Sequence, residues 1–277
     1  MDALERRVRQ LIDASGATSV AVVAASTTPG TPSLAIEADR VFHAASTMKV
    51  PVLVELERQA AASELRLDDT LVVRNAFRSL DDGSPYVLDP ADDSELTLYR
   101  QEGEAVSLRD LAFLAITESS NLATNLLVNR LGATRISDAM ADLGAPSLVV
   151  RRGVEDDAAW RAGRNNTVTA SGLATLLLAL ARRELVSREA SDEMLAILRA
   201  QAFNEGIPAG LPAHVRVAHK TGSITDLYHD AAVVESPGEP PYVLVVLTEG
   251  LDETRVAPAL VASIARVVHE AVVIPPW

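Results

Sequence analysis

The chain carries its strand-like runs at its two ends and its helix-like runs between them, and that order restricts the fold more than any other feature. Residues 2–15 place Leu4, Val8, Leu11 and Ile12 at helical spacing and stop near Gly16. Residues 19–26 form a run of small and β-branched side chains, and 33–37 read as a second strand after a turn at Gly30, which predicts a hairpin. Three further strand-like runs follow much later, at 215–223, 229–235 and 242–248, and 253–272 closes the chain as an amphipathic helix. In between, 45–62, 108–117, 122–131, 137–143, 169–183 and 187–201 read as helices. Residues 67–106 carry clustered acids and turn residues and read as irregular, and 149–166 as a long loop. The expected class is α+β: one antiparallel sheet of about five strands drawn from both chain ends, N- and C-terminal helices on one of its faces, and an all-helical subdomain. We expect a single domain over 1–277, with a sheet subdomain at about 1–45 and 210–277 and a helical subdomain at about 46–209. A cleft between such subdomains is the expected place for a ligand.

Composition removes several function classes. The 277 residues carry a net charge of −13, which argues against nucleic-acid or anionic-membrane partners. There is no cysteine, so disulfides, thiolate metal sites and cysteine nucleophiles are excluded. The five histidines, His43, His214, His219, His229 and His269, show no metal-ligand spacing. We therefore expect no metal and no cofactor. No run approaches the roughly 18–20 apolar residues that span a bilayer. The N-terminus, Met1-Asp2-Ala3-Leu4-Glu5-Arg6-Arg7, reads as a helix and not as a leader. The expectation is a cytoplasmic monomer as the chain stands, or a periplasmic or secreted protein if a leader has been removed.

Chemistry concentrates at two lysines. Of the 25 lysines and arginines only Lys49 and Lys220 are lysine. Arginine is always charged, whereas a buried lysine can lose its proton and act as a base. Lys49 lies in Ser46-Thr47-Met48-Lys49 at the start of a helix, so Ser46 and Lys49 share one helix face. Serine becomes a nucleophile only when a base takes its proton, and a neutral Lys49 can do that. Ser119-Ser120-Asn121 falls between two helices, where serine and asparagine serve as N-caps or, alternatively, as a proton relay and a substrate amide ligand. Lys220-Thr221-Gly222 lies on a late strand. It is either a blunted edge or a place where a substrate carboxylate meets Lys220 and Thr221, with Gly222 leaving room beside the strand.

Taken in order, Ser-x-x-Lys opening a helix, Ser-x-Asn between helices and Lys-Thr-Gly on a late strand resemble the serine β-lactamases of the class A type and the related penicillin-binding proteins. The resemblance covers nearly the whole chain. It implies a β-lactamase/transpeptidase-like fold, a three-layer α/β/α sandwich with its helical subdomain. It implies Ser46 as the acylated nucleophile, Lys49 as its base, Ser119 as the proton relay and Asn121 as a substrate ligand. Lys220, Thr221, Gly222 and Ser223 become the carboxylate and oxyanion elements, the backbone N–H of Ser223 acting with that of Ser46. Asn125 matches the family's asparagine that braces the loop of the deacylating glutamate, and Glu155 falls where that glutamate belongs. Two positions depart from the pattern. The family follows its glutamate four residues later with asparagine, and here that position is Ala159. The middle of Ser-x-Asn is Ser120 and not aspartate. Tyr99 is expected as a wall for substrate, and Trp160 is expected to pack within the long loop.

The expected activity is hydrolysis of a β-lactam amide through an acyl-enzyme on Ser46, on a small-molecule substrate. The alternatives are an esterase, amidase or DD-peptidase of the same fold, or a penicillin-binding sensor without turnover.

Overall fold

A computed structural model describes residues 3–28 and 33–273; the turn at Gly30 lies outside them. The larger elements are α1 (Ala3–Ser15), β1 (Ser19–Ser26), β2 (Leu34–Ile36), α2 (Lys49–Ala61), α3 (Leu108–Thr117), α4 (Asn121–Leu131), α5 (Ala133–Asp142), α6 (Asp157–Arg161), α7 (Ala170–Ala181), α8 (Arg188–Arg199), β3 (Arg216–Ile224), β4 (Leu227–Glu235), β5 (Tyr242–Glu249) and α9 (Val256–Val273). The chain divides into two compact units, one of residues 1–47 and 168–277, the other of residues 48–167.

The first unit is built on a five-stranded antiparallel sheet in the order β2-β1-β5-β4-β3. β1 therefore pairs with a strand more than two hundred residues away, Ser19 facing Glu249 and Ser26 facing Tyr242. Side chains alternate across a strand, and here both faces are covered. Val20, Val22 and Ala24 join Leu244, Val246, Ala232 and Val234 in one core with Leu4 and Val8 of α1 and Val261, Ile264 and Val268 of α9. On the other face α7 packs against β1, β4 and β5, and α8 packs against β3. That double burial explains why the strands read as nearly continuous apolar runs instead of alternating ones. It also makes this unit by itself a three-layer α/β/α arrangement. The two helices at 170–199, expected with the helical part, pack on the sheet in this unit. They do so because α7 is apolar nearly all round, and its Leu173, Leu176, Leu177 and Leu180 are buried.

The second unit is helical. α2 packs against α3, α4 and α5, and α3 against α4. Pro51 sits in the first turn of α2, where its missing N–H removes no helix bond. The stretch 67–106 holds two short antiparallel pairs, Thr70–Val72 with Ala105–Ser107 and Phe77–Arg78 with Pro85–Tyr86. The long loop at 149–166 contains α6, and its ends are tied by the pairing of Val149 with Thr167. Among the described residues no helix is long and apolar enough to cross a membrane.

Candidate active site

In the sheet unit, Ser46 sits in a 3-10 turn over Ala45–Met48. The residue before it, Ala45, has φ 43°, a left-handed conformation that costs an L-residue energy. Histidines hold that turn. His43 Nδ1 accepts the Ala45 N–H at 3.1 Å. Buried His229 accepts the Thr248 N–H on Nδ1 at 3.2 Å, so its other nitrogen carries the hydrogen and donates to the His43 carbonyl at 2.9 Å. Burial lowers the His229 pKa to about 4, which keeps this brace neutral.

The same unit carries Lys-Thr-Gly on β3, the edge strand beside β4. Lys220 is fully buried and donates to the Thr221 carbonyl at 3.0 Å. Thr221 is buried, and Ser223 is exposed. Gly222 is where the Ser46 turn meets this strand: a Cβ there would lie 3.0 Å from the amide nitrogens of both Ser46 and Thr47. Only glycine leaves that approach unhindered. His219, three residues earlier, bonds Asp230 through Nδ1 at 2.9 Å and Asn204 through Nε2 at 3.3 Å. It braces β3 and β4.

In the helical unit, Lys49 opens α2 and is 1% exposed. Its ammonium donates to the Ser119 carbonyl at 2.6 Å, Ser119 Oγ at 3.1 Å and Asn121 Oδ1 at 3.1 Å. Burial lowers the Lys49 pKa to about 7, against the opposing pull of Asp93 and then Glu155. A lysine held this way is half neutral near neutral pH, which suits a general base. Ser119, like Ala45, is an L-residue with positive φ, 56°. Ser120, and not Asn121, caps α4, its hydroxyl accepting the Ala123 N–H at 3.2 Å.

Glu155 also has positive φ, 59°. It is half-buried, and each carboxylate oxygen has a hydrogen-bond partner. One carboxylate oxygen accepts the Asn121 amide at 3.3 Å and the other the Asp89 N–H at 2.9 Å. Burial raises its pKa, and those two hydrogen bonds oppose the rise. Asn125 braces the loop beneath it by a two-way bond with Val154, 2.9 Å to the carbonyl and 2.7 Å from the N–H. Ala159, at the position of the missing asparagine, is buried in α6. Asn166 instead ties the loop ends, accepting from the N–H groups of Arg151 and Arg152. Trp160, expected to pack in this loop, is 53% exposed, because the five-residue α6 buries Ala159 and turns Trp160 outward.

One residue escaped the sequence reading. Asp93 is buried, and its Oδ2 accepts the N–H groups of Asn121 and Leu122, both at 2.9 Å, and the Tyr99 hydroxyl at 3.0 Å. Tyr99, expected as a substrate wall, is half-buried with its hydroxyl committed to Asp93. The only signal for Asp93 was indirect: the motif has lost its own aspartate at Ser120.

Comparison with known proteins places the chain among β-lactamases. The model of the β-lactamase enzyme family matches residues 3–272. A β-lactamase of Rhodobacter capsulatus is 25% identical over 226 residues, 77% of this chain and 70% of that protein. The crystal structure of a β-lactamase from Sphaerobacter thermophilus is 28% identical and covers 100% of both chains with a TM-score of 0.82. A point mutant of PBP-A, solved as an acyl-enzyme complex with penicillin G, is 27% identical with a TM-score of 0.82, covering 97% of this chain and 95% of that one. This chain belongs to the β-lactamase enzyme family.

Proposed function

We propose that the protein is a serine hydrolase that opens β-lactam amide bonds through an acyl-enzyme on Ser46. The observation that carries this is the wiring of Lys49, a buried lysine bonded to Ser119 and Asn121 with its pKa lowered to about 7. In the acylation step neutral Lys49 takes the Ser46 hydroxyl proton, and the oxygen attacks the lactam carbonyl carbon. The amide N–H groups of Ser46 and Ser223 stabilise the oxyanion. As the C–N bond breaks, the proton returns from Lys49 through the Ser119 hydroxyl to the leaving nitrogen. Asn121 orients the substrate's amide side chain, and Lys220 and Thr221 hold its carboxylate. Glu155 then takes a proton from water, whose oxygen attacks the ester carbonyl carbon, and hands that proton to Ser46 Oγ as the bond between the carbonyl carbon and Oγ breaks. The related PBP-A mutant trapped with penicillin G supports the acyl-enzyme.

A second reading keeps the nucleophile and changes the acyl donor to an ester, amide or peptide. It is favoured by Ala159 in place of asparagine and by the Asp89 N–H occupying one oxygen of Glu155, both of which weaken the case for fast deacylation of a lactam. Hydrolysis of a chromogenic cephalosporin tests the first reading. Steady turnover lost by about 10³-fold or more in Ser46→Ala, on the order seen for removed nucleophiles, is the expected result. Faster turnover of short aryl esters than of any lactam would move the assignment to the second reading.

A further inference from the structure

The acceptors of Lys49 sit on one turn. The Ser119 carbonyl, Ser119 Oγ and Asn121 Oδ1 all belong to the link between α3 and α4. That link is strained at Ser119, and a left-handed L-residue persists only where its surroundings over-determine it. The over-determination comes from Asp93, 28 residues upstream of Asn121 in the acidic segment. Its Oδ2 collects the Asn121 and Leu122 amides, two of the orphan donors at the α4 N-terminus, together with the Tyr99 hydroxyl. The Ser120 hydroxyl lies 3.5 Å from the same oxygen, and Oδ1 takes the Glu95 N–H at 3.1 Å. Asn121 thus connects the two charges directly, its N–H on Asp93 and its side-chain oxygen on Lys49.

We propose that Asp93 is a positioning residue for the lysine base: its carboxylate clamps the Ser119–Asn121 turn and, through its charge, sets the pH at which Lys49 becomes able to take a proton. The proposal takes over the base role assigned to Lys49 above. Lys49 feels Asp93 and Glu155, and Glu155 in turn feels Asp92 and Asp93. Asp93 takes the Glu95 N–H and faces Tyr99, whose phenol is held neutral by burial and by Asp93, then Glu155 and Asp89. Burial drives Lys49 towards the neutral amine, and the two carboxylates oppose it, Asp93 more strongly than Glu155. Removing the Asp93 charge while keeping an oxygen in place must therefore let the amine form at lower pH. Removing the side chain must release the turn and displace every acceptor named above.

The lysine economy of the chain makes the test direct. Protein labelled with [ε-13C]lysine gives two signals, and Lys220→Arg assigns them. In Asp93→Asn the Lys49 titration midpoint is expected to fall by on the order of one pH unit. The acid limb of the acylation rate, read with a chromogenic cephalosporin, is expected to move with it. Asp93→Glu, which keeps the charge, should hold the midpoint near that of the unaltered protein. Asp93→Ala should lower the pH-independent acylation rate by on the order of ten-fold or more through lost positioning. A midpoint in Asp93→Asn equal to that of the unaltered protein overturns the proposal, as does an Asp93→Glu midpoint that falls as far as that of Asp93→Asn. Because the lysine titration needs no substrate, a shifted midpoint in a protein that never acylates supports the clamp and refutes the hydrolase reading instead.

Discussion

Of the eight non-glycine residues with positive φ among the described residues, Ala45, Ser119 and Glu155 lie in the turns of the proposed nucleophile, relay and loop glutamate. Each costs on the order of 1–3 kcal/mol, and each is held by a side chain brought from elsewhere in its unit: His229 through His43, Asp93, and Asn125. Gly222 is the counterpart without strain, an ordinary strand residue whose missing Cβ admits the Ser46 amide. Gly222→Ala should therefore leave the melting temperature within a few degrees and lower the acylation rate by roughly ten-fold or more, since a small displacement of an oxyanion donor is costly. Stopped-flow acylation with a parallel thermal melt checks this, and an unchanged rate would remove Gly222 from the account. Ser46, Lys49, Ser119, Asn121 and Lys220 stand out in the sequence because short spacings along one chain carry them, and their catalytic roles are part of the proposal. Asp93 was not. Its role depends on where a turn-rich acidic segment comes to rest, and neither periodicity nor spacing encodes that.

At the scale of the element, α2 shows what hydrophobic pattern alone cannot resolve. It buries Lys49, Glu55, Glu57 and Gln59 along with its apolar side chains. A sequence reading assigns such carboxylates to a solvated face. Glu55 is accommodated by Gln59 Nε2 at 2.8 Å and by Arg58 and Arg135 at 3.6 Å. Glu57 has less help: burial raises its pKa to about 7, with only partial relief from Arg109. The unfolded carboxyl titrates near 4.5. Between those values the folded state holds the extra proton, so stability falls as pH rises through about 4.5–7, and the full penalty is present above pH 7. Glu57→Gln is expected to stabilise the protein at about pH 8 by about 1–3 kcal/mol and to have little effect near pH 4. Urea unfolding at both pH values reads this directly, and equal effects at the two would contradict it. The short strands within 67–106 escaped notice for a different reason. Runs of two or three residues are too brief to show a period.

The architecture of the whole chain was legible because the sheet gathers strands from both ends, and those strands are long, apolar and bounded by turn residues. The assignment of α7 and α8 to the sheet was not legible. Sequence order places them after the helical block, and only their packing on β1, β3, β4 and β5 shows where they belong. The central claim, that Ser46 is acylated and Glu155 drives its release, is tested most directly by intact mass. The unaltered protein and Glu155→Gln are each mixed with penicillin G, and the adduct is followed over time and mapped to a residue. A transient adduct on Ser46 is expected in the unaltered protein, and one that persists roughly a hundred-fold longer or more in Glu155→Gln, on the scale of a lost general base. An adduct on any other residue, no adduct at all, or equal lifetimes in the two proteins would contradict that claim.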